Sequence, residues 1–243
     1  MRREKLADNK ITYLGHSTFL IQSIDKKNIL IDPWLDGNPR CPEKFNQTNK
    51  LPKIDCMLIT HGHYDHVADA VKVGKKFSCA SLANFEIGTW LESKGVKNVH
   101  PMNKGGTLAV PGHEKIKVTQ CNAFHSSMIQ DDDKWIYGGE ACSFIIQLEN
   151  GYKIYHAGDT CIFGDMKLIG DLYQPDIALL PIGDRFTMGP KDAAKACNLL
   201  GIKKVIPMHY ATFPLLTGTP SQFQKELQGS GVEMHELKPG ESI

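Results

Sequence analysis

The chain lacks any long apolar run. No uninterrupted stretch approaches the ~20 residues that a membrane-spanning helix requires, so no membrane partner is expected. It also lacks a charge surplus. Lys plus Arg total 28 against 27 Asp plus Glu, which leaves neither the basic footprint of a nucleic-acid binder nor an acidic tail. There is no Cys-x-x-Cys. The seven cysteines (Cys41, Cys56, Cys79, Cys121, Cys142, Cys161 and Cys197) are odd in number and scattered. They read as buried reduced thiols rather than a disulfide framework or a thiolate metal site. Met1–Asp8 has none of the apolar character of a signal peptide, and the expected compartment is therefore cytoplasmic. No internal repeat and no low-complexity linker interrupts the chain. Its 243 residues suit one sizeable α/β domain over 1–243 with a real core.

What the sequence does have is concentrated in His61-Gly62-His63-Tyr64-Asp65-His66. Three imidazoles and a carboxylate fall within six residues, directly after the strand-like run Cys56-Met57-Leu58-Ile59-Thr60. Imidazole and carboxylate are the donors that zinc and similar borderline-soft cations prefer. Neighbouring histidines repel one another once protonated. A metal removes that cost by selecting neutral imidazole and ionised carboxylate.

The spacing allows more than one ion. His61 and His63 point the same way if the chain leaves the strand extended, because side chains alternate with period two. Asp65 and His66 then lie around a bend, away from that first pair. The segment can serve two ions about 3.5–4 Å apart, as in two-metal hydrolytic sites, but four ligands are too few for both. Three further candidates follow, each of ligand type and each just past an apolar strand-like run: His125, Asp159 and His209. Loops at strand ends of a rigid sheet are where chemistry is usually carried.

Thr60-His61-x-His63-x-Asp65-His66, followed in order by His125, Asp159 and His209 and preceded by Asp32 in Ile29-Leu30-Ile31-Asp32-Pro33-Trp34, resembles the metallo-β-lactamase fold superfamily. The likeness runs from about Ile11 onward. It is closer to small metal-dependent hydrolases of bacteria and archaea, carried by Tyr13-Leu14-Gly15-His16-Ser17, Asp36–Pro42, His156-Ala157-Gly158-Asp159-Thr160 and Pro181–Pro190. More distantly the chain is similar to ascorbate-6-phosphate lactonases and N-acyl-phosphatidylethanolamine phospholipases D. The resemblance implies an α/β (α+β) architecture, the four-layer αββα sandwich. It implies one ion held by His61, His63 and His125 and a second by Asp65, His66 and His209, with Asp159 bridging. Asp32 is implied to orient the motif loop by hydrogen bonding rather than to bind metal. Relatives such as the lactonases assemble, so a homo-oligomer is an open expectation.

Along the chain, Ile11–Leu14, Phe19–Ser23 and Asn28–Ile31 read as strands, with a turn at Asp25-Lys26-Lys27. Residues 36–53 read as a surface loop that is either a pocket wall or a plain connector. Val67–Lys75 and Ala83–Ser93 have helical spacing, and Met102–Leu148 is mainly strands. Ile177–Leu180 is a strand and Pro190–Leu200 a helix that opens on Pro190 and closes at Gly201. Lys204–Pro207 is a strand, Ser221–Gln228 a short helix and Val232–Leu237 a final strand.

The chemistry expected is hydrolysis. Two close divalent cations lower the pKa of a shared water from about 15.7 toward 7, providing hydroxide to attack a small ester, lactone or phosphodiester. Zinc is the first expectation for the pair of ions, with manganese, nickel or iron as alternatives. Asp65 and Asp159 are the carboxylates expected in the reaction. His16, in a Gly-His-Ser turn, is the spare candidate for proton donor, or else a support for a ligating carboxylate. His156 is expected to support the site from within its strand. Trp34, Arg185 and Phe213 are candidate substrate residues: Arg185 as an anion clamp or merely a partner of Asp184, the aromatics as pocket walls. The competing functions are a glyoxalase-II-like thioesterase, a di-iron redox protein and a metal-stabilised binding protein without turnover. The first usually carries a helical substrate domain and the second a flavodoxin-like domain, and the sequence supplies neither.

Overall fold

The computed structural model describes residues 9–243; Met1–Asp8, the segment read for a signal peptide, lies outside the described residues. The first half builds a six-stranded sheet. In it β1 (Lys10–Tyr13), β2 (Phe19–Gln22) and β3 (Asn28–Ile31) form an antiparallel meander, and β4 (Cys56–Leu58), β5 (Ala80–Asn84) and β6 (Val99–Met102) continue in parallel. The helices α1 (Tyr64–Val67) and α2 (Ala70–Phe77) link β4 to β5, and α3 (Phe85–Ser93) links β5 to β6.

The second half repeats the plan. Its antiparallel part is β7 (Thr107–Val110), β8 (His113–Asn122), β11 (Cys142–Gln147) and β12 (Lys153–His156). A separate hairpin of β9 (Met128–Asp131) and β10 (Lys134–Tyr137) is inserted between β8 and β11. The parallel part is β13 (Ile177–Pro181), β14 (Lys204–Met208) and β15 (Glu233–Met234), connected through α4 (Met166–Tyr173), α5 (Pro190–Leu200) and α6 (Pro220–Glu226). This repeat of topology leaves no trace in the sequence, because the two halves share strand directions and not residues.

Side-chain alternation assigns the layers. On the first sheet Ile11, Tyr13, Phe19, Ile21, Ile29, Ile31 and Leu58 join one buried core with Val118, Phe144, Ile146 and Ile154 of the second sheet. The opposite face of the first sheet, Leu20, Leu30, Met57 and Ile59, packs on Val73, Ile87 and Leu91 of its helices. The second sheet in turn carries Ile169 of α4, Ala196 and Cys197 of α5 and Phe223 of α6. Period two in the strands thus selects sheet against sheet on one side and helix on the other, giving the αββα sandwich. Among the described residues no helix is long and apolar enough to cross a membrane.

Local chemistry explains where elements stop. Pro190 opens α5 at a position whose N–H needs no partner, and Gly201 closes it with φ 64°, a left-handed conformation that costs glycine little. The reading of Val67–Lys75 as one helix is corrected: the helix breaks at Ala68–Asp69. The Asp69 carboxylate accepts hydrogen bonds from the backbone N–H groups of Leu35 and Asp36 at 2.8 and 2.9 Å, tying the motif helix to the loop after β3. Ala83 belongs to a strand, and α3 starts only after Asn84, whose side chain caps it by accepting from Ile87 N. The strand read over Val232–Leu237 shortens to Glu233–Met234.

Candidate metal centre

Turns at one edge of the two sheets supply the site. Asp32 follows β3, the run Thr60–His66 follows β4, and Asp159 and His209 follow β12 and β14. His125 follows β8, and His16 lies in the turn between β1 and β2. Ligand-bearing loops at the carboxyl ends of parallel strands are the usual arrangement in open α/β sheets. Asp32 and His209 both sit at positive φ (47° and 55°), which turns their side chains back toward the centre of this edge. Non-glycine residues held in this region cost energy and cluster at functional sites.

One carboxylate sets two imidazoles. Asp32 is fully buried; its Oδ1 accepts from Thr60 N (2.8 Å), and its Oδ2 accepts from Thr60 Oγ1 (2.7 Å) and His66 Nδ1 (2.8 Å). With its Nδ1 proton committed to Asp32, His66 in its neutral form presents a bare Nε2. Thr60 spends its only hydroxyl proton on Asp32, so at 3.0 Å its oxygen accepts from His61 Nδ1, and His61 likewise presents a bare Nε2. His63 is oriented in the opposite sense: its Nε2 faces Ser126 Oγ at 3.3 Å, leaving Nδ1 turned to His61 Nε2 at 3.1 Å. Around a tetrahedral ion with bonds of about 2.0–2.1 Å, neighbouring ligand atoms stand roughly 3.3 Å apart. The separation of these two nitrogens is close to that.

The donors fall into overlapping clusters: His61, His63 and His125; His61, His66 and Asp159; and His16, Asp65, His66 and His209. Asp159 lies between them. Its Oδ2 stands 2.9 Å from His209 Nε2, 3.7 Å from His125 Nε2 and 3.9 Å from His61 Nε2, and its Oδ1 stands 3.4 Å from His66 Nε2. Both His66 Nε2 and Asp159 Oδ1 are buried without a hydrogen-bond partner. Two orphaned donor atoms aimed at one point, in a wall of imidazole and carboxylate, fit a divalent cation.

Electrostatics favours the ligand form at His61, His63, His125, Asp65 and Asp159 and opposes it at His66. Burial, aided by the charge of His66, drives His61 well below the ordinary histidine value and lowers His63; burial together with His63 and His66 lowers His125. Burial opposes the charge of His66 too, but Asp159, Asp32 and Asp65 outweigh it and raise His66 well above normal. Burial likewise opposes ionisation of Asp65 and Asp159. His66 and His16 nevertheless hold Asp65 far below the carboxylate range, and His209 and His66 do the same for Asp159. Neutral imidazoles and ionised carboxylates are the ligand forms of these groups, so a cation bound at His66 would displace its Nε2 proton.

The structure redistributes the remaining candidates. His16 is fully buried, with Nε2 on Asp65 Oδ2 at 2.8 Å and Nδ1 on Thr212 Oγ1 at 3.0 Å. Burial and neighbouring His209 lower it to about 4. With both nitrogens engaged and no exposure, His16 is placed as the alternative reading had it, as a support for the Asp65 carboxylate. His156 accepts from Gly158 N (3.1 Å) and donates to Ser17 O (3.1 Å), bracing the turns that carry Asp159 and His16.

A cleft of about 450 Å³ opens over the cluster, lined by His63, Tyr64, Asp65, His125, Ser126, Asp159, Phe186, His209 and Phe213. Phe213 was anticipated there. Trp34 was too, and is corrected: it is buried behind the wall, stacked on Phe213 with ring centroids 5.7 Å apart. Arg185 lies just outside the lining: it is exposed, and its guanidinium lies over the Phe186 ring at 5.6 Å. No residue of 36–53 lines the cleft either. Sequence reasoning passed over Thr60 as a relay, Asp69, Ser126 and Thr212, and did not place Phe186 or Tyr64 among the substrate residues. The only signal for Ser126 was its place directly after His125.

Comparison with known proteins joins this geometry to a family. The family model described as "Beta-lactamase superfamily domain" matches residues 27–210. The chain is 51% identical to a UPF0173 metal-dependent hydrolase of Rubrobacter xylanophilus, over 100% of this chain and 99% of that one. The chain belongs to this family of metal-dependent hydrolases. A second member, from Koribacter versatilis, is 52% identical over 96% of this chain and 97% of its own. Among solved structures, Igni18, a metallo hydrolase from the archaeon Ignicoccus hospitalis, superposes with a TM-score of 0.85 at 35% identity, covering 97% of both chains. The protein is accordingly a metal-dependent hydrolase of the metallo-β-lactamase fold, and its His and Asp clusters are the candidate seats of the metal.

Proposed function

We propose that the protein, acting as one catalytic domain over 1–243, is a dinuclear hydrolase of a small molecule carrying an ester, lactone or phosphodiester bond. His61, His63 and His125 hold one ion, Asp65, His66 and His209 the other, and Asp159 joins them. The observation that carries this reading is the position of Asp159. Its Oδ2 is within 4 Å of His61 and His125 on one side and 2.9 Å from His209 on the other, while Oδ1 faces His66. A single ion would leave one of these flanks without a cation. When bound, two divalent ions supply an acidified water and polarise the scissile centre.

The chain's own residues do the rest. Asp32 fixes the proton positions of His66 and, through Thr60, of His61. His16 keeps Asp65 ionised and aimed into the cleft. The donor set suits zinc, and also manganese, nickel or iron.

Elemental mass spectrometry on protein purified without added metal or chelator tests the stoichiometry. Close to two equivalents per chain, falling to one in His125→Ala and in His209→Ala, is the expected result. One equivalent in the parent protein after metal soaking would overturn the dinuclear reading, and two irons would favour redox chemistry.

A further inference from the structure

The cleft in front of the ligands has a chemical character that the ligands do not explain. Its outer walls are aromatic: Tyr64, Phe186 and Phe213, which are 56%, 49% and 37% exposed. Phe124 and Leu215, near neighbours in sequence of His125 and Phe213, are 53% and 48% exposed. Exposed apolar side chains gathered at a cleft are a mark of ligand-binding grooves. Among the described residues no lysine or arginine lines the cleft, Arg185 lying outside it with its guanidinium over the Phe186 ring at 5.6 Å, and the hydroxyl side chains of the lining are those of Ser126 and Tyr64.

The missing cations discriminate between reactions. Phosphoryl transfer spreads negative charge over three equatorial oxygens, and enzymes meet it with Arg or Lys clamps in addition to metal. Acyl transfer gathers charge on a single oxygen. A cleft with aromatic walls and no lysine or arginine among its described lining residues matches the second case. We propose that the substrate is an uncharged acyl compound, a carboxylic ester or lactone whose apolar acyl chain lies along Phe186 and Phe213, and not a phosphodiester. This rests on the two-ion hydrolase reading above. In the reaction the acyl C–O bond breaks and water supplies the new carboxylate oxygen. One water proton goes to the leaving alkoxide and the other to solvent.

Turnover of p-nitrophenyl acetate, butanoate and octanoate is compared with that of bis(p-nitrophenyl) phosphate. Each rate is taken as the difference from Asp65→Ala, and metal content is measured on every sample. Partial burial of each added methylene gives up to about threefold in kcat/KM. Octanoate is therefore expected to exceed acetate by about tenfold or more, with the diester at least a hundredfold below octanoate. Phe186→Ala is the first informative variant, since its ring is half exposed, and Phe213→Ala the second, its ring also packing on Trp34 and His16. Each should flatten the chain-length series, lowering octanoate turnover far more than acetate turnover at unchanged metal content. Calorimetric titration with octanoate and acetate reads the same preference without turnover, octanoate binding more tightly in the parent and equally in Phe213→Ala.

Faster turnover of the diester, a flat series in both titration and kinetics, or a tenfold loss in Arg185→Gln would overturn the acyl assignment. Fewer than two ions in a protein that keeps the chain-length preference would refute the two-ion reading and leave the acyl assignment standing.

Discussion

Asp32→Asn is the sharpest perturbation the structure offers. Asparagine is nearly isosteric with aspartate and tolerates the positive φ of 47° at this position. The change is therefore one of hydrogen bonding. Asp32 accepts from three donors, Thr60 N, Thr60 Oγ1 and His66 Nδ1, all within 2.8 Å. An asparagine has one oxygen. If its NH2 replaces Oδ2 it donates to His66 Nδ1 and drives the imidazole proton to Nε2, the atom that faces Asp159 Oδ1 at 3.4 Å. If instead its NH2 replaces Oδ1, two N–H groups confront each other across the former 2.8 Å bond to Thr60 N. Leaving a buried donor unsatisfied costs about 1–3 kcal/mol, and loss of such a support to a ligating histidine lowers metal affinity about 10–100-fold. Chelator competition with metal quantitation, beside a thermal melt to check that the variant is folded, gives the measurement. Ion affinities within twofold of the parent would refute the claim that Asp32 sets the proton positions of these rings.

The relay makes a second, selective prediction: Thr60→Val removes the acceptor of His61 Nδ1 but leaves Asp32 on His66, so affinity should fall about tenfold at the His61–His63–His125 cluster and change little beside His66, read by stepwise metal titration. Removal of metal should lower thermal stability, because the proposed ligands come from both sheets. An ion at a hundred times its Kd contributes about 2.7 kcal/mol, and in a chain of this size each kcal/mol moves Tm by about 2–4 °C, so scanning calorimetry with and without chelator should differ by roughly 5–11 °C per ion lost, whereas an unchanged Tm would place the ions outside the inter-sheet edge. Away from the site, Asp55 accepts from Asn28 N at 2.9 Å and lies 3.2 Å from Lys53 Nζ; burial opposes its charge, but these partners hold it below the ordinary carboxylate value. A lowered carboxylate stabilises above its unfolded pKa of about 3.9 and loses that contribution as pH falls through the folded value. Asp55→Asn should therefore cost about 1 kcal/mol at pH 7, little of it from the screened Lys53, and the denaturation curves of parent and variant should converge as pH falls through the lowered folded value.

What could be seen in the sequence was whatever combined a distinctive residue type with a strand end. His61, His63, Asp65 and His66 stand out because so many donors rarely crowd six residues, and His125, Asp159 and His209 because each follows an apolar run. The supporting residues are invisible for the opposite reason. Thr60, Ser126 and Thr212 are common hydroxyl residues, and their partners are fixed only by folding: His16 and Thr212 are 196 positions apart. Burial was equally hard to read. Trp34 and Phe186 both flank motif segments, yet one is 3% exposed behind the wall and the other 49% exposed on it. Periodicity misplaced α3 by including Ala83, since the apolar spacing of a fully buried strand runs into that of the following helix without a break. It also joined α1 to α2, because Asp69 looks like an exposed helical residue until its carboxylate is seen to bind the backbone of the next loop.

The repeated topology accounts for where the centre lies. Each half places a meander before its parallel strands and so presents strand ends at the same edge. The first half brings His61, His63, Asp65 and His66 to that edge, the second His125, Asp159 and His209, and the shared core between the sheets fixes one set against the other. Neither set alone completes a four-coordinate site for each of two ions. The hydrogen bond from His209 N to His16 O, at 2.7 Å, and the contact of His16 with Asp65 bind the two sets at the point where they meet. A pair of ions at this seam would thus report directly on sheet docking, and packing in the inter-sheet core would govern the distance between ligands that share no local sequence.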